Sequence, residues 1–302
     1  MTQYRVRHST SYTYMNAVVH AHHLAHMRPR TLPHQKVTRC EIIAQPSSIA
    51  ATHYLDYFGN HVDCFEVFGS HDTLQVVSTS DVEVTPNPIS ESLSLLDTSW
   101  ENVVTKLDTD PSQLDVQEFR LASPVVRPFP SLRDFAARTF VPGKPMIAAV
   151  LELNQRIHEE FKYDTGATDE STPLALFLEE KRGVCQDFAH LAVGALRSLG
   201  LAARYVSGYL ETAPPPGRAR LVGADASHAW VSAYVPDLGW LDFDPTNNVL
   251  PSERHITIGW GRDFSDVSPL KGVVLGGASH QVAVGVDVER IPRTSQQQQQ
   301  QQ

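Results

Sequence analysis

The chain has 302 residues, enough for one large domain or two ordinary ones, and 41% of them are hydrophobic, ample for a buried core. With 25 Lys and Arg against 34 Asp and Glu the formal charge is -9, which removes the electrostatic case for nucleic acid or an anionic membrane as partner. The N-terminus lacks the apolar segment of a signal peptide and no apolar run is long enough to span a bilayer, so a cytoplasmic location is expected. Three cysteines are too few for a disulfide framework.

Residues 1–90 are dense in short β-patterned runs, such as Gln3 to His8, Val37 to Ile43 and Leu74 to Val84, with Phe58-Gly59-Asn60 as a hairpin signal, and predict a β domain. His20, His22, His23 and His26 are crowded enough to suggest a metal site, and His22 and His26 would share a face in a helix. No second cluster of carboxylates or cysteines accompanies them. Solvent-exposed histidines on a strand or loop are therefore expected, with no metal and no cofactor. Cys40 and Cys64 read as buried thiols, with a pairing between them as the alternative. Over residues 91–144 the periodicity weakens, interrupted by Pro111, Pro124, Pro128, Pro130 and Pro142, which predicts a linker with one or two short helices.

Residues 145–293 form the third region. Pro145 opens a helix with Ile147, Val150, Leu151, Asn154, Ile157 and Phe161 near one stripe, and Thr172-Pro173 caps a shorter one running to Glu180. After the turn Arg182-Gly183-Val184, Cys185 begins a run with apolar residues at Phe188, Leu191, Ala192, Ala195, Leu196 and Leu199, one stripe of a helix that Gly200 should end in a left-handed cap. A thiol in a helix's first turn faces unpaired backbone N–H groups and the positive end of the dipole, the setting of nucleophilic cysteines. The alternative is a buried thiol acting as a small hydrophobe.

Ala226 to Val235 reads as a strand with His228 near its start, and Trp240 to Pro245 as the next, across a turn containing Pro236, Asp237 and Gly239. His228 and Asp244 are sixteen residues apart, so an odd loop puts both on one face and a two- or four-residue loop puts them on opposite faces. Three loop residues, Val235-Pro236-Asp237, would set them directly opposite, whereas a longer odd loop or a bulge would leave them diagonal. His255 to Ile258 and Gln281 to Val288 alternate like strands and should complete the same sheet. Between them Gly259 to Asp266 has the composition of a loop, either bordering a cleft or forming a surface turn. Residues 294–302, ending in Gln296 to Gln302, have no means of burying apolar surface and should be disordered.

Arg182-Gly183-Val184-Cys185-Gln186-Asp187-Phe188-Ala189-His190, then Ala203-Arg204-Tyr205-Val206-Ser207-Gly208-Tyr209, Ser227-His228-Ala229-Trp230 and Gly239-Trp240-Leu241-Asp242-Phe243-Asp244-Pro245-Thr246, in this order over some 65 residues, resemble the transglutaminase-like superfamily, its bacterial branch in particular. Tyr12 through Pro29-Arg30, with Asp56-Tyr57-Phe58-Gly59-Asn60, resembles the N-terminal β domain that commonly precedes this core. The resemblance implies an α+β fold: a papain-like core, one helix carrying the cysteine against an antiparallel sheet, preceded by the β domain. It also implies a catalytic Cys185, His228 and Asp244, the acid being the one directly before Pro245-Thr246. Strand alternation alone does not separate Asp244 from Asp242.

The implied chemistry is thiol acyl transfer on a peptide, protein or other amide substrate. Cys185 attacks the carbonyl, His228 moves the proton and Asp244 orients His228. The backbone N–H of Cys185 is one oxyanion donor; Tyr163 and Gln186 are candidates for the second, or else a core phenol and a solvated helix residue. Trp230 and Trp240 either wall an acyl channel or pack in the core. Water as acceptor makes a cysteine peptidase or amidase, a lysine amine makes a transglutaminase, and loss of activity would leave a binding module. The stiff Ala213 to Arg218 segment suits the border of an open groove, which favours hydrolysis.

Overall fold

The computed structural model describes residues 1–47, 49–87, 98–110, 112–169, 172–211 and 227–291. Four strands open the chain: β1 (Thr2–Ala25), β2 (Gln35–Gln45), β3 (Ile49–Leu55) and β4 (His61–Val84). β1 pairs antiparallel with β4 from Thr2↔Val84 to Ala25↔Asp63, and β4 takes β2 and β3 on its other edge. The short runs read from the sequence are parts of much longer strands. Register shifts between Thr13 and His20 invert the alternation of β1, so that Tyr4, Val6, His8 and Thr10 face inward before them and Ala21, His23 and Ala25 after them. A strand whose pattern changes phase looks like two short ones. The β3–β4 hairpin turns where the sequence signalled it. Asp56 Oδ1 accepts from the N–H groups of Phe58 and Asn60 at 2.9 and 2.8 Å, and Gly59 takes φ +72°.

The stretch read as a linker is packed structure. It holds helices α1 (Trp100–Thr109) and α2 (Leu114–Gln117), a 3-10 turn at Glu118–Arg120, and α3 (Pro130–Ala137). Val103, Leu107, Phe119, Leu132 and Phe135 are buried in the same core as the helices that follow. The prolines punctuate these elements and do not break them; Pro130 stands at the start of α3, where a missing N–H costs nothing.

Next come α4 (Met146–Glu160), β5 (Lys162–Tyr163), α5 (Leu174–Glu180), β6 (Arg182–Gly183) and α6 (Cys185–Ser198). β5 and β6 form a parallel two-stranded pair, Tyr163 opposite Gly183, just before the cysteine. Every residue of α6 from Asp187 to Arg197 is buried. A four-stranded antiparallel sheet lies against α6. It consists of β7 (Ala203–Leu210), β8 (Ser227–Val235), β9 (Gly239–Phe243) and β10 (His255–Gly261), in the order β10-β7-β8-β9. Ala229, Val231 and Ala233 of β8 join the core that contains α6.

The chain then leaves this sheet. After the short helix α7 (Phe264–Val267), β11 (Leu270–Gly276) and β12 (His280–Arg290) both pair with β1. Gln281 to Val288 therefore does not complete the core sheet as expected; it closes the N-terminal one. β10 already occupies the β7 edge, and β1 offers its second edge along its length. Val286 and Val288 pack with Tyr4, Val6, Val82 and Val84 of the first sheet and Tyr209, Ile256 and Ile258 of the second. Gly259 to Asp266 is also more regular than a loop, ending β10 and starting α7. Ala213 to Arg218 and the glutamine tail lie outside the described residues. Among those described, no helix is long and apolar enough to cross a membrane.

Candidate active site

Gly183 sets the angle at which the chain runs into α6. A Cβ there would lie 2.4 Å from Asp187 Oδ2 and 2.9 Å from the Phe177 ring, so only glycine lets the chain pass. Asp187, in the first turn, accepts the Val184 N–H at 2.9 Å and the Thr168 hydroxyl at 2.6 Å, tying the N-terminus of the helix to the strand before it. Burial nonetheless pushes its carboxyl above the usual range, against the pull of those two hydrogen bonds. At the far end Gly200 takes φ +85°, while Leu201 N–H donates to Leu196 O and Gly200 N–H to Arg197 O, the double bond of a Schellman cap. Cys185 is thus the first residue of a helix fixed at both ends. The N–H groups of Cys185 and Gln186 have no partner among the described residues.

The imidazole and the carboxylate come from the sheet. Val235 pairs with Gly239 and Val231 with Phe243, so the hairpin loop is Pro236-Asp237-Leu238: three residues, but one position later than the loop that would set His228 and Asp244 face to face. In this register Asp244 falls opposite Trp230. His228 is its diagonal neighbour on the same face, and its Nε2 meets Asp244 Oδ2 at 2.8 Å. Asp242 pairs instead with Ser232, whose hydroxyl donates to it. With Nε2 engaged, His228 has Nδ1 left over, and the ring is near enough to Cys185 for the charge on its sulfur to act on the imidazole; the Cys185 sulfur lies 3.9 Å from Ser227 O.

Asp244 is completely buried and surrounded by donors. Oδ2 also receives Asn247 Nδ2 at 2.7 Å and faces His255 Nε2 at 3.3 Å, and Oδ1 receives the N–H groups of Thr246 and Asn247 at 3.0 and 3.2 Å. Burial alone would raise its pKa, but the hydrogen bonds and charges of His228 and His255 hold it far below the carboxylate range. Ser252 N–H donates to His255 Nδ1 at 3.2 Å, so the His255 proton sits on Nε2 and points at Asp244. For His228, burial disfavours the imidazolium, yet the hydrogen bonds and charges of Asp244 and Cys185 win and lift its pKa from 6.5 to about 10. An imidazolium therefore faces the Cys185 sulfur at neutral pH.

His228, Asp244 and His255 also form the one group among the described residues with donor atoms close enough to share a metal ion, all within 4.8 Å. The hydrogen-bond directions give these same atoms a proton-holding role. Trp230 is fully buried. Its ring lies 6.2 Å from His228 and edge-on to His255 at 5.3 Å, over Gly208, where a Cβ would come within 2.3 Å of the indole. It packs behind the site. Trp240 stands away from the cysteine, beside Phe119 and Tyr234. Tyr163 is close enough to Cys185 for the thiol's charge to add to the effect of burial in raising the phenol's pKa. Gln186 lines a cleft of about 180 Å³ with Ser227 and Phe264 of the core and His8, Thr10 and Tyr12 of β1. The first sheet thus supplies a wall beside the thiol.

The four crowded histidines lie on or just past β1. His20 and His22 flank Glu66 at 3.1 and 3.5 Å, but His23 and His26 are buried, against the expectation of exposure, because the shifted phase of β1 turns His23 inward. Cys40 and Cys64 are free and half-buried, with Cys64 Sγ 3.2 Å from His22 Nε2. His255 and Asn247 escaped the sequence reading. His255 was visible only as the start of a strand, and nothing in its spacing pointed to Asp244.

Residues 133–245 match the profile of the Transglutaminase-like superfamily and residues 4–83 that of the Bacterial transglutaminase-like N-terminal region. An uncharacterized protein of Mycobacterium tuberculosis is 36% identical over 296 residues, covering 96% of this chain and 93% of its own length. The protein-glutamine gamma-glutamyltransferase of Pseudomonas aeruginosa is 28% identical over 169 residues, 54% of this chain and 25% of that protein. A crystal structure of a candidate cysteine protease from Cytophaga hutchinsonii shares the fold at 19% identity, with a TM-score of 0.74 over 97% of this chain and 92% of the other. The chain belongs to the transglutaminase-like superfamily, with the bacterial N-terminal region ahead of the core.

Proposed function

We propose that this protein is a cysteine-dependent acyl-transfer enzyme that hydrolyses a peptide or other amide bond. The observation that carries this is the placement of Cys185, at the start of α6, beside an imidazole whose Nε2 is held at 2.8 Å by the buried Asp244. Cys185 adds to the amide carbon as the thiolate, its proton already held on His228, and the oxyanion accepts a hydrogen bond from the free N–H of Cys185. His228 passes its proton to the leaving amine, the C–N bond breaks and a thioester remains. His228 then removes a proton from water, whose oxygen attacks the thioester, and the acid leaves as the thiolate is restored beside the imidazolium. Asp244, kept ionised by its donors, holds the imidazole with Nδ1 toward the sulfur. The adjoining cleft mixes polar groups, among them Gln186 and Ser227 nearest the sulfur, with apolar walls from Phe264, Leu270 and Val282, and the polar groups beside the sulfur can hold the water that we take as acceptor.

Transfer to an amine is the second reading, favoured by the partial likeness to the Pseudomonas gamma-glutamyltransferase. A glutamine-containing peptide incubated with excess primary amine separates the two. The free acid is expected as main product, and predominant amine conjugate would reverse the assignment. Cys185→Ala is expected to lower turnover at least about 10³-fold; a folded variant that keeps its activity would refute the proposal.

A further inference from the structure

Arg204 of β7, Ser232 of β8 and Asp242 of β9 stand opposite one another in a row across the core sheet. They lie on the face that carries His228 but four residues further along β8, about 13 Å away, with Trp230 between. The Arg204 guanidinium lies over Trp240 at 4.3 Å and over Trp260 at 3.7 Å. Arg30 lies over Trp260 at 3.6 Å, necessarily on the other face of the ring. The aromatic walls clamp Arg204 without satisfying it. Its Nε is buried with no acceptor among the described residues. Burial lowers its pKa to about 9, with Asp242 opposing, so the cation persists at neutral pH.

Two more polar groups here are unspent among the described residues: Asp242 has one oxygen on the Ser232 hydroxyl and no hydrogen-bond partner there for the other, and the His34 imidazole has none there. All of these line one cavity of about 230 Å³ at the seam with the first sheet, which Asn87 and Thr257 also border and whose apolar walls are Leu32, Pro33, Val206 and the two indoles. That is space for roughly seven waters, or one amino-acid-sized molecule. An apolar cleft with a few convergent polar groups is the form of a small-molecule site. A cation and an anion set across from each other without pairing leave room for a ligand that answers both.

We propose that this cavity binds a carboxylate carrying an N–H donor on the adjacent carbon and an apolar side chain. The carboxylate lies on Arg204, the donor faces Asp242 and the side chain meets Leu32, Pro33 and Val206. A guanidinium already oriented by two indoles presents its fork to a carboxylate at little further cost in order. A free amino acid and the C-terminal residue of a peptide share this chemistry. The site is separate from the thiol and does not depend on turnover.

Calorimetric titration with leucine, N-acetyl-leucine and leucinamide tests it. Leucine or N-acetyl-leucine is expected to bind at one site with Kd at or below about 1 mM, and leucinamide, which lacks the carboxylate, is not. Tighter leucine points to the free amino acid and tighter N-acetyl-leucine to a peptide end. Arg204→Lys keeps the charge but loses the fork and should weaken binding at least about tenfold. Asp242→Asn, which disturbs no ion pair, should weaken leucine more than N-acetyl-leucine. Absence of binding by both acids, equal binding of leucinamide, or affinities unchanged in both folded variants would overturn the proposal and leave Arg204 a water-solvated strut of the domain seam.

Discussion

His255 opens β10 almost fully buried, where a polar ring costs free energy unless both nitrogens are used. Both are, one accepting from Ser252 N–H and the other aimed at Asp244. We therefore assign it as a positioning residue acting through the carboxylate. His255→Leu is expected to lower kcat about tenfold with little change in KM, as for loss of one hydrogen bond to a charged group, while His255→Gln, which can still donate, retains most of it. The His228 imidazole resonance followed by NMR should titrate at a different pH in the leucine variant; an unmoved titration with reduced kcat would make His255 merely structural. The pKa of His228 itself has a stability consequence. Because folding raises it from 6.5 to about 10, the stabilisation is fully present below pH 6.5 and is lost as pH rises toward 10. Urea denaturation of wild type and His228→Gln should show their difference shrinking across that interval. A difference that grows with pH would contradict the imidazolium assignment.

Among the elements, α6 was the most legible because all that defines it is local: its stripe, its turn and its closing glycine lie within a few residues of one another. Cys185, His228 and Asp244 were picked out through the resemblance, since alternation alone did not separate Asp244 from Asp242 two residues before it. That His228 and Asp244 share a face followed from counting residues only for an odd loop, which the pairing of Val235 with Gly239 supplies. Their diagonal offset did not, since it depends on whether Val235 ends the strand or begins the turn. α1 to α3 were obscured by prolines that mark boundaries but read as breaks, and β1 by the change of phase in its middle. His255 and the Arg204 row were invisible because strand pairing, not spacing, brings them together. The turn into α6 yields a sharp test. Gly183→Ala would press a methyl group into Asp187 and Phe177 and should cost about 1–3 kcal/mol, seen as a lower urea midpoint with an unchanged slope. It should also reduce activity in the protein that remains folded, since it shifts Cys185; full stability would show that the strand can move aside.

At the scale of the molecule, the order of elements in the chain and their order in space disagree. β11 and β12 follow the core sheet in sequence yet complete the N-terminal one, so the core is inserted between strands of a single sheet. Val286 and Val288 pack against residues of both sheets, and Arg290 of β12 bonds Glu211, just after β7, at 2.7 Å. Neither half can unfold without stripping the other: melting the first sheet exposes Tyr209, Ile256 and Ile258, and melting the core pulls on both ends of the segment that leads to β12. A single cooperative transition is therefore expected, even though the chain is long enough for two independent domains. The positions of the tryptophans make this testable without labels. All four, Trp100, Trp230, Trp240 and Trp260, lie outside the first sheet, so fluorescence reports the core while far-UV circular dichroism draws much of its signal from the long strands. The two signals should fall together in urea at one midpoint. A chain ending before Leu270 should lose that coincidence, because β1 then has a bare edge and the cluster joining the sheets lacks Val286 and Val288. Separate midpoints in the full-length protein would mean that the seam contributes too little to couple the sheets.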